Sequence, residues 1–470
     1  MSTVENKHKS YVKYSSIWKR CRDVVDGEVK AQAENYLPPL SGHDGPRSPE
    51  YLAYLARTNF YNATARSLDA LTGAIFSKPP TFNVPPQLES IVRDVTLSGT
   101  ALGELANQVT EHVLTTGRAG VLVDHTGRME NVTVAEKERQ NLRPKLALYT
   151  AEQITNWRYG YVNGRYQLTL VVLREQHTQQ TVDVFSVEDQ VRYRVLRLDE
   201  GVYTQQVWEM GNNGGFSVTA EIQPRLNGAL FDYLPFFIFS PNNSDSVERP
   251  PISDLVDVNL AHYVTSADYE SAVHFCASPT YFGSGFKLRE GESIPIGSSS
   301  AYVRSESDAK LTIVEFTGQG LGALENNLKS KEAQMASLGA RLLQESPRQV
   351  ETAEAVNTKQ AGENSVLASI AKSVGKGLTW LMSIMAEWEG AQADDVLVEL
   401  CTDYTPDPVS AQTITALMGA TQGGLLSRES FIYNLQRGGY LEEGRTLEDE
   451  LADAEADDVP PPIALVPDVA

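Results

Sequence analysis

The chain has 470 residues, 41% of them hydrophobic, and a formal charge of -21 from 61 acidic and 40 basic residues. That length and apolar content support about two to four folded domains and exclude a disordered chain, while the charge argues against a protein that grips nucleic acid through its phosphates. Cys21, Cys276 and Cys401 show no C-x-x-C spacing, no run nears the roughly 18 apolar residues of a membrane span, and the N-terminus lacks a signal-peptide core, so disulfides, thiolate zinc, secretion and membrane insertion are not expected and a reducing cytoplasm is.

From Tyr11 to Lys78 the apolar residues Tyr51, Leu55, Phe60, Leu68, Leu71 and Ile75 recur at helical intervals. The prolines of FSKPP and VPP, residues 76–80 and 84–86, then break the pattern. A second helix is expected from about Gln87 to Thr116, followed by a glycine turn at Gly117 and a buried strand through Val121, Leu122 and Val123. Residues 166–240 read as an antiparallel meander built from YQLTLVVLR, TVDVFSV, QVRYRVLRL, TQQVWEM and FSVTAEI, with GNNGG as a hairpin loop and YLPFFIFS closing the sheet. A boundary falls near Asn242 to Pro251.

Ser253 can then cap a long helix with the stripe Val256, Leu260, Tyr263, Val264 and Ala267, ending before Pro279. Residues 280–320 revert to strand and turn chemistry, with SAYVRS and KLTIVEF as strands. Leu321, Leu324, Leu328, Met335, Leu338 and Leu342 mark a second long helix, to about Gln344. Pro347 breaks it, and a third helix from about Thr352 to Glu389 carries Val366, Ile370, Val374, Leu378, Leu381, Met385 and Trp388, with Gly362, Gly375 and Gly377 as expected bends. The strand-like VLVELC, a helical segment at Ser410–Leu417 and another near Arg428–Gln436 complete the ordered part. Nine acidic residues against Arg445 between Glu442 and Asp458, then a proline-rich end, are expected to be disordered.

Catalytic patterns are missing: there is no phosphate-binding P-loop, no H-E-x-x-H, no G-x-S-x-G and no calcium loop. GRAG at residues 117–120 precedes a strand instead of opening a helix, so it lacks anion-capturing geometry. His262 and His274 lie too far apart along one helix to share a metal. His125 beside Asp124, with Glu111, is the least implausible general base, but no nucleophile accompanies it. No catalytic, cofactor or metal residue is assigned, and no enzymatic activity is expected.

The order of elements, with the string NFYNATARSLDALTGAIFSKPP at Asn59 to Pro80, resembles the portal proteins of tailed bacteriophages over most of the chain. The resemblance implies an α+β subunit: an α/β wing over residues 1–250, a stem helix over 251–279, a small β-rich clip over 280–320, a second stem helix over 321–345, a tunnel loop over 346–351, a long kinked helix and returning wing strand over 352–401, a helical crown over 402–458 and a disordered tail over 459–470. It further implies Phe286, Lys287, Arg289, Tyr302 and Arg304 as clip residues and Ser346, Pro347, Arg348, Gln349, Val350 and Glu351 as the tunnel loop. The same six residues read equally as a simple helix–helix turn.

What the resemblance implies for function is a homo-oligomeric ring, dodecameric by family habit, at one capsid vertex, formed in the host cytoplasm and kept in the virion. Double-stranded DNA would pass through it without sequence preference, with the large terminase, head-completion or tail adaptor proteins and the major capsid protein as partners. No cofactor and no membrane are implied, since the motor brings the ATP chemistry. A mostly acidic lining would repel phosphates and let DNA slide. Another virion structural or adaptor protein without a DNA channel is the competing expectation.

Overall fold

The computed structural model describes residues 3–29, 36–40, 45, 47–125, 139–180, 187–211, 214–277, 280–286, 308–314, 318, 320–341, 366–402, 411–422, 426–427 and 430–432. The chain divides into two units, Met1–Asp403 and Tyr404–Ala470. It is an α+β protein, and every strand pairing among the described residues is antiparallel.

Each of the first helices starts where a side chain takes over an orphan backbone N–H. His8 accepts from Ser10 N ahead of α1 (Lys9–Val25), Ser48 from Tyr51 N ahead of α2 (Pro49–Arg57), and Asn62 from Ala65 N ahead of α3 (Ala63–Ile75). Strand β1 (Thr81–Asn83) follows the proline break. The single helix expected over 87–116 is instead a short turn at Pro86–Leu88, α4 (Glu89–Val92), a loop, and α5 (Leu102–Thr116). Asp94 Oδ1 accepts from Gly99 N at 2.9 Å, and Leu97 and Gly99 take φ of 64° and 92°, so side-chain capture of the backbone outcompetes the helix here. Gly117 ends α5 in the left-handed region at φ 71°, a conformation that suits glycine, and β2 (Ala119–His125) leaves it directly.

Strands β3 (Pro144–Thr150), β4 (Ile154–Val162), β5 (Arg165–Gln180), β6 (Val187–Asp199), β7 (Val202–Met210) and β8 (Phe216–Ile222) come next. The meander is five strands in the order β4-β5-β6-β7-β8, so it begins a strand earlier than residue 166. Its first strand was marked by Trp157, Tyr159 and Tyr161 at alternate positions. Most of TVDVFSV lies outside the described residues. After the short pair β9 (Arg225–Leu226) and β10 (Ala229–Leu230), the aromatic run does not close the meander: β11 (Phe236–Phe239) pairs with β2 in a separate sheet ordered β11-β2-β3. Aromatic residues at consecutive positions suit a strand covered on both faces, and β11 is buried at both ends.

Beyond the boundary at Pro250 come α6 (Ser253–Ala277), β12 (Thr280–Ser284), β13 (Lys310–Val314), α7 (Leu321–Arg341), α8 (Val366–Trp388) and β14 (Leu397–Glu399). The returning strand β14 pairs with β1. Helix α8 is buried from Leu367 to Trp388 on all but the strip of Lys372 and Lys376, with Ile370, Val374, Leu378, Leu381 and Met385 0% exposed. It runs as continuous helix through Gly375 and Gly377, and the reason for those glycines is contact. A Cβ at Gly377 would lie 2.3 Å from the Phe239 ring and one at Gly375 would lie 2.9 Å from Val398 O. In the second unit, α9 (Ala411–Gln422) extends past the expected end at Leu417, and the segment expected around Arg428–Gln436 is described only at Ser430–Ile432.

Gly377→Ala forces the β11 aromatics aside and is expected to destabilise the fold by about 1–3 kcal/mol. Gly73→Ala, on the open face of α3 with nothing within 4 Å of the added carbon, is expected to stabilise it by about 0.5–1 kcal/mol. Urea denaturation of the two variants measures both, and equal midpoints would contradict the packing account.

Candidate functional site

Helices α6 and α7 and the hairpin β12–β13 form an arm. At about 1.5 Å per residue, α6 is about 37 Å long and α7 about 31 Å. They run antiparallel: Gly318, just before α7, sits 3.4 Å (from its would-be Cβ) from Cys276 Sγ near the end of α6, whereas Lys331 donates to Ala261 O at 2.9 Å and to Thr265 Oγ1. Leu321, Leu324, Leu328, Lys331, Met335 and Leu338 form the stripe of α7 that is shielded, and Met335 is its one fully buried side chain among the described residues.

Asn259, wholly buried, fixes the base of the arm. Its Oδ1 accepts from Thr64 N at 3.1 Å and Thr64 Oγ1 at 2.8 Å, and its Nδ2 donates to Tyr61 O at 2.8 Å. Tyr54 adds a hydrogen bond to Asp268 at 2.9 Å. The lower half of α6 therefore sits in a core of Cys21, Val24, Tyr51, Ile252, Val256 and Tyr263. Sequence reasoning passed over Asn259 and Lys331. Their signal was a polar residue on an otherwise buried stripe, which a fold tolerates only with partners.

The tip differs. Phe275 is 60% exposed, Phe282 59% and Ile313 50%, although Tyr281 and Ile313 face one another across the hairpin. A two-stranded ribbon with apolar groups open to water is marginal by itself. Gly285, at φ 77°, turns the chain out of β12 where a Cβ would meet Asp308 O, and Phe286 folds back beside Gly283. Of the residues assigned to the clip, Phe286 is described, while Lys287, Arg289, Tyr302 and Arg304 lie outside the described residues, as do Ser346, Pro347, Arg348, Gln349, Val350 and Glu351.

Charge is unevenly shared. Helix α6 bears Asp254, Asp257, Asp268 and Glu270 and no lysine or arginine, whereas α7 sets Lys329, Lys331 and Arg341 against Glu325 and Glu332. His262 is buried with a ring nitrogen 3.4 Å from Glu332, and burial holds its pKa below the usual value despite that carboxylate. His274 lies about 18 Å further along the helix. No group of three or more His, Cys, Asp or Glu could hold a metal among the described residues, and none of their helices is long and apolar enough to cross a membrane.

The residues considered as a general base are not brought together as one. Asp124 accepts from Arg194 Nη1 at 3.0 Å, and His125 packs 5.4 Å from the Trp388 ring. Arg194 and Arg192 both donate to Glu175 at 2.7 Å, as does Tyr149, so Asp124 belongs to a paired network joining β2, β3, β5 and β6. Glu111 has its pKa raised by burial and then by Asp69, with Arg22 opposing.

A protein-family model described as a domain of unknown function, DUF4055, matches residues 251–389, from just before α6 to just after α8. No curated protein matches the chain. Among solved structures, a chain in the virion of a native gene transfer agent particle is 14% identical, with 88% of this chain and 99% of that one covered and a TM-score of 0.39. A chain in the neck of the native particle, computed with C12 symmetry, is 14% identical with 84% and 96% covered and a TM-score of 0.37. One in the neck of the empty particle, computed with C6 symmetry, is 12% identical with 85% and 96% covered and a TM-score of 0.39.

Burial alone would raise the Glu175 pKa, but Arg194, Tyr149 and Arg192 more than offset it and hold the carboxyl below its ordinary 4.5. A depressed carboxylate stabilises the fold above its unfolded-state pKa, and that contribution is lost as pH falls through the folded value. The stability gap between the native chain and Glu175→Gln is therefore expected to be full at pH 7 and to narrow below about pH 4 in urea titrations. A gap that widens in acid would contradict the network.

Proposed function

We propose that this chain is a structural subunit of a phage-type virion at the head–tail junction and, more finely, its portal: a ring whose bore conducts double-stranded DNA during packaging and ejection. The observation that carries the reading is the arm. Two antiparallel helices rise from a buried base to an apolar hairpin that nothing within the described residues covers, and most of α7 is likewise open to water. Such surfaces are expected of a chain completed by its own copies. Head-to-tail packing under a fixed rotation closes a ring, and upright helices then surround an axial opening.

On this reading α6 and α7 are the stem, the hairpin is the clip where the large terminase and later the head-completion or tail adaptor proteins dock, and the body meets the major capsid protein. The ring is a homododecamer that assembles in the host cytoplasm and stays in the virion. It carries no catalysis, since the terminase hydrolyses the ATP. On α6, Asp254 and Asp257 are paired with Arg249 and Arg20 and Asp268 accepts from Tyr54, which leaves Glu270 as its acidic contribution to a bore that repels phosphate, while Lys329 pairs with Glu325 at 2.7 Å and Lys331 donates to α6.

Negative-stain class averages of the purified chain are expected to show rings with a central hole and rotational symmetry in end views. Monomers at every concentration and salt, or closed shells, would favour a virion protein without a channel. Deleting residues 346–351 is expected to leave rings intact and to impair DNA packaging or retention, and normal filling would contradict the tunnel-loop assignment.

A further inference from the structure

We infer that the groove between the N-terminal segment, β4 and the loop at Asp245–Val247 is a contact surface for a second copy of this chain, which presents carboxylates to it. This rests on the ring reading above and adds to it a place on the body, far in sequence from the arm.

The groove has a volume of about 520 Å³ and its walls include His8, Asn156, Trp157, Tyr159, Tyr166 and Asp245. It is built by attachment of the N-terminal segment to the outer edge of β4: His8 N donates to Thr155 O at 3.0 Å and Asn156 Nδ2 to Asn6 O at 2.9 Å. His8 stacks on Trp157 at 4.0 Å. Near the β4–β5 turn Tyr161 and Tyr166 face one another across the two strands with rings 5.1 Å apart, Tyr161 being 80% exposed. Rigid aromatic groups at a groove mouth are what contact surfaces are enriched in, and solvated surfaces seldom retain them.

Charge identifies the occupant. Arg118 is 1% exposed with its guanidinium 4.0 Å from the Trp157 ring centroid, and none of its three nitrogens has a hydrogen-bond partner among the described residues. An unpaired buried cation is costly, and its field is not neutralised inside the subunit. Burial lowers its pKa only to about 10, so it remains charged at neutral pH. Arg158 lines the same groove and Lys9 acts on His8 in its wall; both are exposed, with no ion-pair partner among the described residues. Asp245 opposes them, its carboxylate taken by the Tyr159 hydroxyl. The groove is thus a basic island on a chain of net charge -21, and the surface most abundantly complementary to it is that of another copy. A two-fold dimer would set island against island, whereas a head-to-tail contact sets it against acidic surface, which is the geometry that closes rings.

The test is mass photometry of the full chain across concentration and salt, comparing wild type with Arg158→Glu combined with Tyr166→Ala, both on exposed side chains, and with Arg118→Met. Circular dichroism melting serves as the fold control. The exposed pair is expected to melt as wild type and to raise the half-assembly concentration about tenfold or more, with the largest effect at low salt. Arg118→Met is expected to weaken assembly in the same direction. An unchanged assembly midpoint in the exposed double variant overturns the proposal, whether or not the groove captures another virion protein. Wild-type chains that stop at short open oligomers, yet are weakened by the variant, would keep the groove and remove the ring. Wild-type chains monomeric throughout would remove both.

Discussion

Burial of α8 is the constraint on which the remaining structure depends. A helix apolar on nearly all sides must be surrounded, and here it is wrapped by α5, by the β11-β2-β3 sheet and by β14. Gly375 and Gly377 set how near those layers come, because the ring of Phe239 and the carbonyl of Val398 occupy the volume a side chain would need. Ser373, wholly buried, donates to Ser240 O at 2.8 Å and ties the same helix to the segment that leads out of β11. The C-terminal part of the unit therefore completes a core begun by its N-terminal part: β14 pairs with β1 across more than 300 residues of chain. Everything between, the arm included, is inserted into a body closed by its own ends.

That arrangement explains why the arm is anchored so firmly at one end and so little at the other. Asn259, Thr64 and Tyr61 join α6 to the start of α3, and a Cβ at Gly339 would lie 3.3 Å from Ser67 Oγ, so α7 returns to the same helix. Between these points α7 meets α6 along a single stripe. The hairpin at the tip has hydrogen bonds for its strands, but among the described residues nothing covers Phe282 or Ile313. The arm and the groove on the meander share one property, a surface whose physical requirements are not met by the described residues.

Much of this was legible in the sequence because local chemistry and global fold agree there. Ser253 marks the start of α6, Gly117 stops α5, and the Leu321-Leu324-Leu328-Met335 stripe marks the one shielded face of α7. Where the reading failed, a competing interaction had no local mark. Asp94 capturing Gly99 N dissolved a helix that periodicity alone supported, and β11 left the meander because pairing with β2 buries its aromatics on both sides. β12 went unread because its TYFGS sequence reads as turn as easily as strand. Of the residues assigned to the clip and the tunnel loop only Phe286 lies in the described part, and the groove was invisible for a plain reason: His8, Trp157 and Asp245 are brought together only by tertiary folding.

The contrast between α7 and α8 has a dynamic counterpart. Amides in α8 lie under packed layers on all but the strip of Lys372 and Lys376, so most of their protons exchange with solvent only when the whole unit opens. Those of α7 are held by their own helical turn and one stripe of contact, so local fraying suffices to release them. A long helix held in this way gains stiffness only from what packs along it, and among the described residues α7 has that support on one face alone.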